Sequence, residues 1–412
     1  MTEFMKTYKL KITVLSPVHI GASTDLEPTE YVIYSEKEKS ATSQKQEAPV
    51  VICPECGYKN PIKEWVCLNC ESDLPRQSAP VKQAEPAKTP DSYLYTFTPG
   101  QLSEALSDTD KKTLLKEAGK GELMALQNFF KSKASVIIKT ATKRAFVCRE
   151  VAKKYEEKFG NVNSKSNDFA KFNIEKQISD AVTGLPYIPG SSIKGAIRTA
   201  LMSAKNERVR LDKSLYKKGA DAEKFLYGYK NPTEDPFKAL KIEDGCAADF
   251  FITEIDTAEN VKRNSGKALE QKGVSTYMEV IPSGTVFESS LTIMQTAGFS
   301  DDMLSIQKAC DNFYSNIFNE QKDCQVNTHG ISASLFEKIQ KEKSKSKAFL
   351  VNLGKHGGAE SKTIDGLRNI KIKQGNGKLP RFEDCATTYW FANNGKERQP
   401  FGWCVVEFEE VK

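Results

Sequence analysis

Four of the ten cysteines stand as Cys53-Pro-Glu-Cys56 and Cys67-Leu-Asn-Cys70, with ten residues between the pairs. Each Cys-x2-Cys makes a tight knuckle that aims two thiolates at one point, and two knuckles complete a tetrahedral Zn²⁺ site. Gly57, directly after the second cysteine, suits the positive φ that such knuckles use. With cysteine at all four positions no coordination place is left for a substrate, so the expected zinc is structural, and so small a module depends on it to fold. A redox dithiol pair or an iron site would draw on the same residues. Trp65, Lys59 and Lys63 suit either a nucleic-acid or a protein partner. Cys148, Cys246, Cys310, Cys324, Cys385 and Cys404 have no paired spacing and read as reduced thiols.

A second stretch with chemical potential is LPYIPGSSIKGAIRTAL, from Leu185 to Leu201. Pro189-Gly190 makes a turn, and Ser191 or Ser192 can cap a helix whose free amides and positive dipole end face outward. Ile193, Ile197, Ala200 and Leu201 form its apolar stripe. Lys194 and Arg198, four apart, share one face, and Gly195 leaves room for a close backbone approach. The pattern is that of an anion cradle, although an ordinary capped helix with two solvated cations would look the same. No GxxxxGK[ST] is present, so nucleotide hydrolysis is not supported. A third stretch, LGKHGGAESKT from Leu353 to Thr363, sets Lys355, His356 and Lys362 around Gly354, Gly357 and Gly358. Amides freed by glycine beside cations suit phosphate; a solvated turn is the other reading.

The elements that must position these residues are partly legible. The 412 residues are 39% hydrophobic and 9% aromatic, enough to fold as two or three globular domains. A net charge of +6 argues only weakly for a polyanionic partner, but residues 338–378 carry eleven Lys and Arg against Glu342, Glu360 and Asp365. That window is the electrostatic footprint to explain, unless its start, around 338–347, is simply a solvated loop. No apolar run approaches the ~18 residues of a membrane span, and MTEFMKTYKLKITVLS lacks the apolar core of a signal peptide, so a cytoplasmic location is expected. Alternation of Leu10, Ile12 and Val14 with Lys9, Lys11 and Thr13 predicts a half-buried strand ending at Ser16-Pro17. YVIY (31–34) and SYLYTFTP (92–99) read as two more. The intervening 36–50 and 75–91 have linker composition, so 51–74 reads as a guest zinc ribbon inserted between strands of a host fold. Helical patterns follow over 101–118, 121–159 and 193–204; 225–237 breaks regular structure; strands return in 241–255, 275–294 and 402–410. The expectation is an α+β architecture of the split βαβ kind, occurring twice.

Taken together, SPVHIGAS after the first strand, IPGSSIKGAIRTAL, LGKHGG and QPFGW (Gln399–Trp403) resemble the RAMP superfamily of CRISPR-associated proteins. Within it, the chain looks most like the fifth-subunit family of type III-A Csm effector complexes. The resemblance covers nearly everything except the insertion. It implies an RRM-related, ferredoxin-like core with a second, degenerate half: an N-terminal region over 1–35 and 92–235 and a C-terminal region over 236–412. It also implies binding of CRISPR RNA, capping of the backbone filament near the guide's 3′ end, and support of guide maturation and antiviral defence. The implied partners are target RNA paired to the guide, other Csm subunits, especially the repeating backbone subunit, and host nucleases; no membrane is implied. Carried onto this sequence, the resemblance makes Ser191, Ser192, Lys194 and Arg198 guide-backbone contacts, with Lys355, His356, Gly357 and Lys362 a second set. His19 and Gly21 lie in the first-strand motif, where a lone histidine is also compatible with a structural role.

No aromatic run of the RNP type occurs, so base stacking on a sheet face is not expected. Backbone reading by loops and cations is largely sequence-independent, as suits a complex in which the guide's base pairing carries specificity. A neighbouring backbone subunit of the superfamily cleaves target RNA with an aspartate in an early loop; here that loop is GASTDLEPTEY, with Asp25, Glu27 and Glu30. The three histidines, at 19, 329 and 356, have no paired signature for acid–base chemistry. The expectation is therefore a non-catalytic RNA-binding subunit. An endoribonuclease or target-RNA slicer using Asp25 or His19 is the alternative, and a zinc-ribbon adaptor for a protein partner is a third reading.

Overall fold

A computed structural model describes residues 4–35, 50–53, 55–56, 59–61, 66, 69–70, 72, 92–121, 123–159, 172–216, 218–263, 276–296, 298–329, 332–343, 347–374 and 379–411. The chain divides into two compact units, residues 1–34 with 92–412, and residues 35–91. Among the described residues no helix is long and apolar enough to cross a membrane.

The first strand, β1 (Met5–Val14), buries Tyr8, Leu10, Ile12 and Val14 on one face, as its alternation requires. It lies at the centre of an antiparallel sheet whose other members come from far along the chain. After β1 the sheet's elements are helix α1 (Gly190–Val209), β2 (Leu240–Ile242), β3 (Val286–Met294), helix α2 (Met303–His329), β4 (Ala348–Asn352) and β5 (Trp403–Glu410). The spatial order is β2, β3, β1, β5, β4, and a sixth, two-residue strand, Cys246–Ala247, also pairs with β3. Reading β1-α1-β2-β3-α2-β5 along the chain, this is the ferredoxin-like split βαβ arrangement, with β4 added as an extra edge. The stripe Ile193, Ile197, Ala200 and Leu201 of α1 is buried in the core. So are Ile306, Cys310, Tyr314 and Ile317 of α2, spaced at the helical period. Lys9, Lys11, Glu288, Ser290, Glu407 and Glu409 line a polar groove on the sheet, where Lys11 pairs with Glu407 at 3.6 Å. Among the described residues the groove's rings are limited to Phe408, which is buried, in keeping with the missing RNP signature.

A second sheet runs, in spatial order, Gly21–Leu26, Ile174–Gln177, Thr276–Val280, Thr253–Lys262, Lys143–Val147, Ser92–Thr96 and Tyr31–Ser35; Thr388–Asn393 joins Thr253–Lys262, with Arg398–Pro400 outside it. Both sheets take strands from either side of residue 235. The Phe97 amide donates to the Glu30 carbonyl at 3.1 Å, so Ser35 and Ser92 are neighbouring strand ends and the segment 36–91 leaves and returns at one point.

Two local expectations change. The stretch 121–159, helical by pattern, contains the strand Lys143–Val147, whose Ala145 and Val147 are buried between two other strands. Five residues are too few to set a period against flanking helices. Residues 338–343, which could pass for a solvated loop, belong to the helix Ala333–Lys343, because Phe336 and Ile339 anchor one face in the core while Lys338 and Lys341 stay exposed. In the smaller unit, Val50–Ile52 pairs antiparallel with Lys59–Pro61.

Candidate functional site

Strands β1 and β4 end, and β5 begins, at the same edge of the first sheet, because β5 runs antiparallel to both neighbours. Three loops separated by hundreds of residues are therefore delivered to one place. Leu15 N–H donates to Trp403 C=O (2.8 Å), Gly402 N–H to Pro17 C=O (2.9 Å), Leu353 N–H to Gly402 C=O (2.8 Å) and Lys355 N–H to His19 C=O (2.7 Å). The Ser16 hydroxyl accepts from Trp403 N–H at 3.0 Å. Two glycines make this contact possible. A Cβ on Gly354 would stand 2.3 Å from the His19 carbonyl and one on Gly402 2.5 Å from the Leu353 carbonyl, and both residues have positive φ. Asn352, fully buried, donates to Phe401 C=O at 2.9 Å and accepts from Ser361 Oγ at 3.3 Å.

This changes the reading of LGKHGG. Its glycines let chain pack on chain, and the Lys355 amide is consumed by His19, so it is not free for an anion. The Lys362 ammonium donates to the Asn352 carbonyl at 2.7 Å, while the residue as a whole remains exposed. His356, at φ 69°, stacks on Trp390 with ring centroids 4.2 Å apart. Burial pushes its pKa down to about 4, so it is neutral near pH 7. Gly357 has no room for a side chain, since a Cβ there would collide with Asn352. The stretch exposes both Lys355 and Lys362, and of the two Lys355 lines the adjacent cleft.

Lys355 stands at the rim of a cleft of about 350 Å³ lined by His19, Gly21, Ser23, Asp25, Glu175 and Lys176. Its ammonium meets Glu175 at 2.5 Å. Burial alone would raise the Glu175 pKa, but the hydrogen bond and charge of Lys355 outweigh it and hold the carboxyl below its usual range. His19 is fully buried beneath this pair; its Nδ1 donates to the Glu279 carbonyl at 2.7 Å and its Nε2 is 3.4 Å from the Glu175 carboxylate. Burial lowers the His19 pKa. Glu279, also buried, accepts from Thr253 Oγ1 (2.6 Å) and Gln177 N–H (3.1 Å) and is paired with Lys143. Glu175, Lys176 and Glu279 carry no sequence motif; only strand register brings them here.

The four residues on α1 form a separate set. The helix begins at Gly190, and neither Ser191 nor Ser192 caps it. Instead the Asp244 carboxylate accepts the Gly190 N–H at 2.7 Å, so a protein anion already occupies that amide. The close approach belongs to Gly190, where a Cβ would lie 2.3 Å from the Ile242 carbonyl, while the space beside Gly195 is open. Lys194 and Arg198 do share a face. Lys194 donates to the Leu240 carbonyl at 2.8 Å. Arg198 is paired with Glu223 and, at 3.0 Å, with Asp235, and lies over the Phe237 ring. Among the described residues, this set shares no hydrogen bond or ion pair with the loop cluster.

In the small unit, one sulfur from each of Cys53, Cys56 and Cys70 lies within 4.8 Å of the others. The Cys53–Cys70 separation of 3.6 Å is close to the ~3.8 Å edge of a tetrahedron with Zn–S bonds of about 2.3 Å. The donor set therefore fits zinc, with the Ser72 hydroxyl 3.1 and 3.0 Å from two of the sulfurs. Cys67 lies outside the described residues.

Comparison with known proteins gives a family and a fold. The RAMP superfamily model matches residues 11–331. No curated protein matches the chain. A chain of the cryo-EM structure of a Csm–crRNA–target RNA ternary complex from a type III-A CRISPR–Cas system superposes with a TM-score of 0.56 at 15% identity, over 97% of this chain and all of that one. The crystal structure of T. onnurineus Csm5 superposes with a TM-score of 0.51 at 15% identity, over 96% of this chain and 99% of that one.

Proposed function

The chain belongs to the RAMP superfamily, and from that premise we propose that it is a non-catalytic, CRISPR-RNA-binding subunit of a type III-A Csm effector complex. It caps the backbone filament near the 3′ end of the guide, beside target RNA and other Csm subunits. The observation that carries this reading is the end-to-end likeness to a chain from an assembly with crRNA and target RNA. The geometry supports it: three of the family's loop motifs, SPVHIG, LGKHGG and QPFGW, meet in one cluster beside a cleft lined by Lys355 and Lys176. Lysines without a base-reading surface suit phosphates of any sequence, which would take the place of Glu175 at Lys355 and of Glu30 at Lys176. Of the residues the resemblance implicates, Lys355 and its cleft are the primary contact. Lys194 and Arg198 act through the fold by holding 223–240 against α1, and Ser191 and Ser192 contribute only the exposed start of the helix. His19 positions the loops, because its Nδ1 is bound and its ring is buried. Cys53, Cys56, Cys67 and Cys70 hold one structural zinc.

The test is to purify the tagged chain from its host at moderate salt, sequence the RNA that accompanies it and measure zinc in the same sample. Repeat-derived small RNA together with other Csm subunits and about one zinc per chain is the expected result. Absence of RNA, or RNA without repeat sequence, refutes the assignment. One observation favours a second reading, a target-RNA slicer: Asp25 lines the same cleft as His19 and Lys355. If Asp25→Ala abolishes target cleavage by the reconstituted complex, that reading replaces the non-catalytic one.

A further inference from the structure

Between β4 and β5 the chain projects a hairpin, Ile370–Ile372 with Arg381–Glu383, which pairs with neither large sheet. Its register places Lys371 directly opposite Phe382, so the ammonium-bearing chain and the ring share one face. Phe382 is 57% exposed, far more than an aromatic ring with a packing role needs. No acid occurs from residue 366 to residue 382. The two acids that follow are both engaged, Glu383 by Arg381 at 2.9 Å and Asp384 by Lys213. Lys371 and Lys373 are exposed, and among the described residues no ion pair neutralises them.

We infer that this hairpin face is a second RNA contact, one that takes a single-stranded segment by stacking a base on Phe382 and pairing adjacent phosphates with Lys371 and Lys373. The inference rests on the RNA-binding reading above and assigns it a surface outside the loop cluster. A lone exposed ring with cations at strand spacing matches a base and its flanking phosphates. A duplex would withhold the π-faces of its bases from the ring, so the class of ligand is single-stranded.

The experiment measures binding of the full chain to a fluorescein-labelled twelve-residue oligouridine by anisotropy over a range of salt. Phe382→Ala is expected to weaken binding about 5- to 150-fold, with Phe382→Tyr retaining it. Lys371→Ala with Lys373→Ala is expected to lower the slope of log K against log salt by about 1.4, or ~0.7 for each phosphate left without its lysine. Unchanged melting temperatures confirm that these exposed changes leave both units folded. If both hairpin variants bind like the wild type while Lys355→Ala weakens binding, the inference is overturned and the RNA-binding function stands. If the wild type does not bind, both fall. If Phe382→Ala keeps RNA but sheds another subunit from the purified complex, the face is a protein-docking surface and the inference is wrong.

Discussion

Lys355 carries the cleft's chemistry because His356 is packed on Trp390 and Lys362 is hydrogen-bonded to the Asn352 carbonyl, away from the cleft lining. Exposed ion pairs such as Lys355–Glu175 contribute ~1 kcal/mol or less to stability. Lys355→Ala should therefore leave the melting temperature within about 2 °C while lowering the salt slope of RNA binding by about 0.7. An unchanged slope would remove Lys355 from the contact. His356 behaves oppositely, as a residue whose burial matters and whose charge does not. In the unfolded chain its imidazole takes a proton near pH 6.5, whereas in the folded chain it does so only near about 4. Between those values the unfolded state binds more protons, so acidification from pH 6.5 towards 4 costs stability, up to about 3 kcal/mol from this group. Asparagine tolerates the positive φ at this position. His356→Asn should accordingly show a smaller drop in melting temperature between pH 7 and pH 5 than the wild type, and equal drops would contradict the assignment.

At the scale of elements, the start of α1 shows how the fold itself supplies a carboxylate to a helix amide. Proline at the N-cap leaves no side chain to satisfy the first amides, and Gly190 lies so close to the Ile242 and Glu243 carbonyls that only a residue without Cβ fits. Asp244 follows directly and supplies the missing carboxylate. Asp244→Ala should thus destabilise the chain by about 1–2 kcal/mol, as removal of a helix cap does, readable as a lower denaturation midpoint with unchanged m-value. Retention of full stability would show that the Gly190 amide finds another partner. A sulfate-dependent rescue in the variant alone would show that the vacated amide does take an anion. The three loops at the ends of β1 and β4 and the start of β5 follow the same logic: their glycines permit mutual contact, and Lys355 is the loop lysine that lines the cleft.

For the whole molecule, the segment 36–91 departs and returns at the adjacent ends Ser35 and Ser92. Replacing it by Asn-Gly, which closes a two-residue hairpin, should leave the large unit folded, with a melting temperature changed by no more than about 2 °C. Collapse of the shortened chain would show that the segment contributes to the large unit's core. Zinc content should disappear with it, since its cysteines are the group whose spacing and sulfur separation fit the metal. Guide RNA retention by the shortened chain would place the ribbon outside the RNA contact; release of a protein partner would assign the ribbon to assembly.

Local pattern alone determined much of this protein. The alternation in β1, the apolar stripe of α1, the knuckle spacing of the cysteines and the linker composition around them are all properties of neighbours in sequence, and each is set by local geometry or composition. The family resemblance was legible for the same reason, because its motifs are short glycine-bearing loops. What those loops do was not legible, since Gly354 and Gly402 are required by carbonyls 335 and 49 residues away, at His19 and Leu353. Nor could composition reveal that Arg198 would find Glu223 and Asp235, that Asp244 would fill the helix start, or that Glu175 would reach Lys355. Those pairings depend on strand order and register. Only the tertiary structure decides which cations meet an acid of the protein, as Lys355 meets Glu175, and which, like Lys371 and Lys373, stand exposed with no ion pair among the described residues.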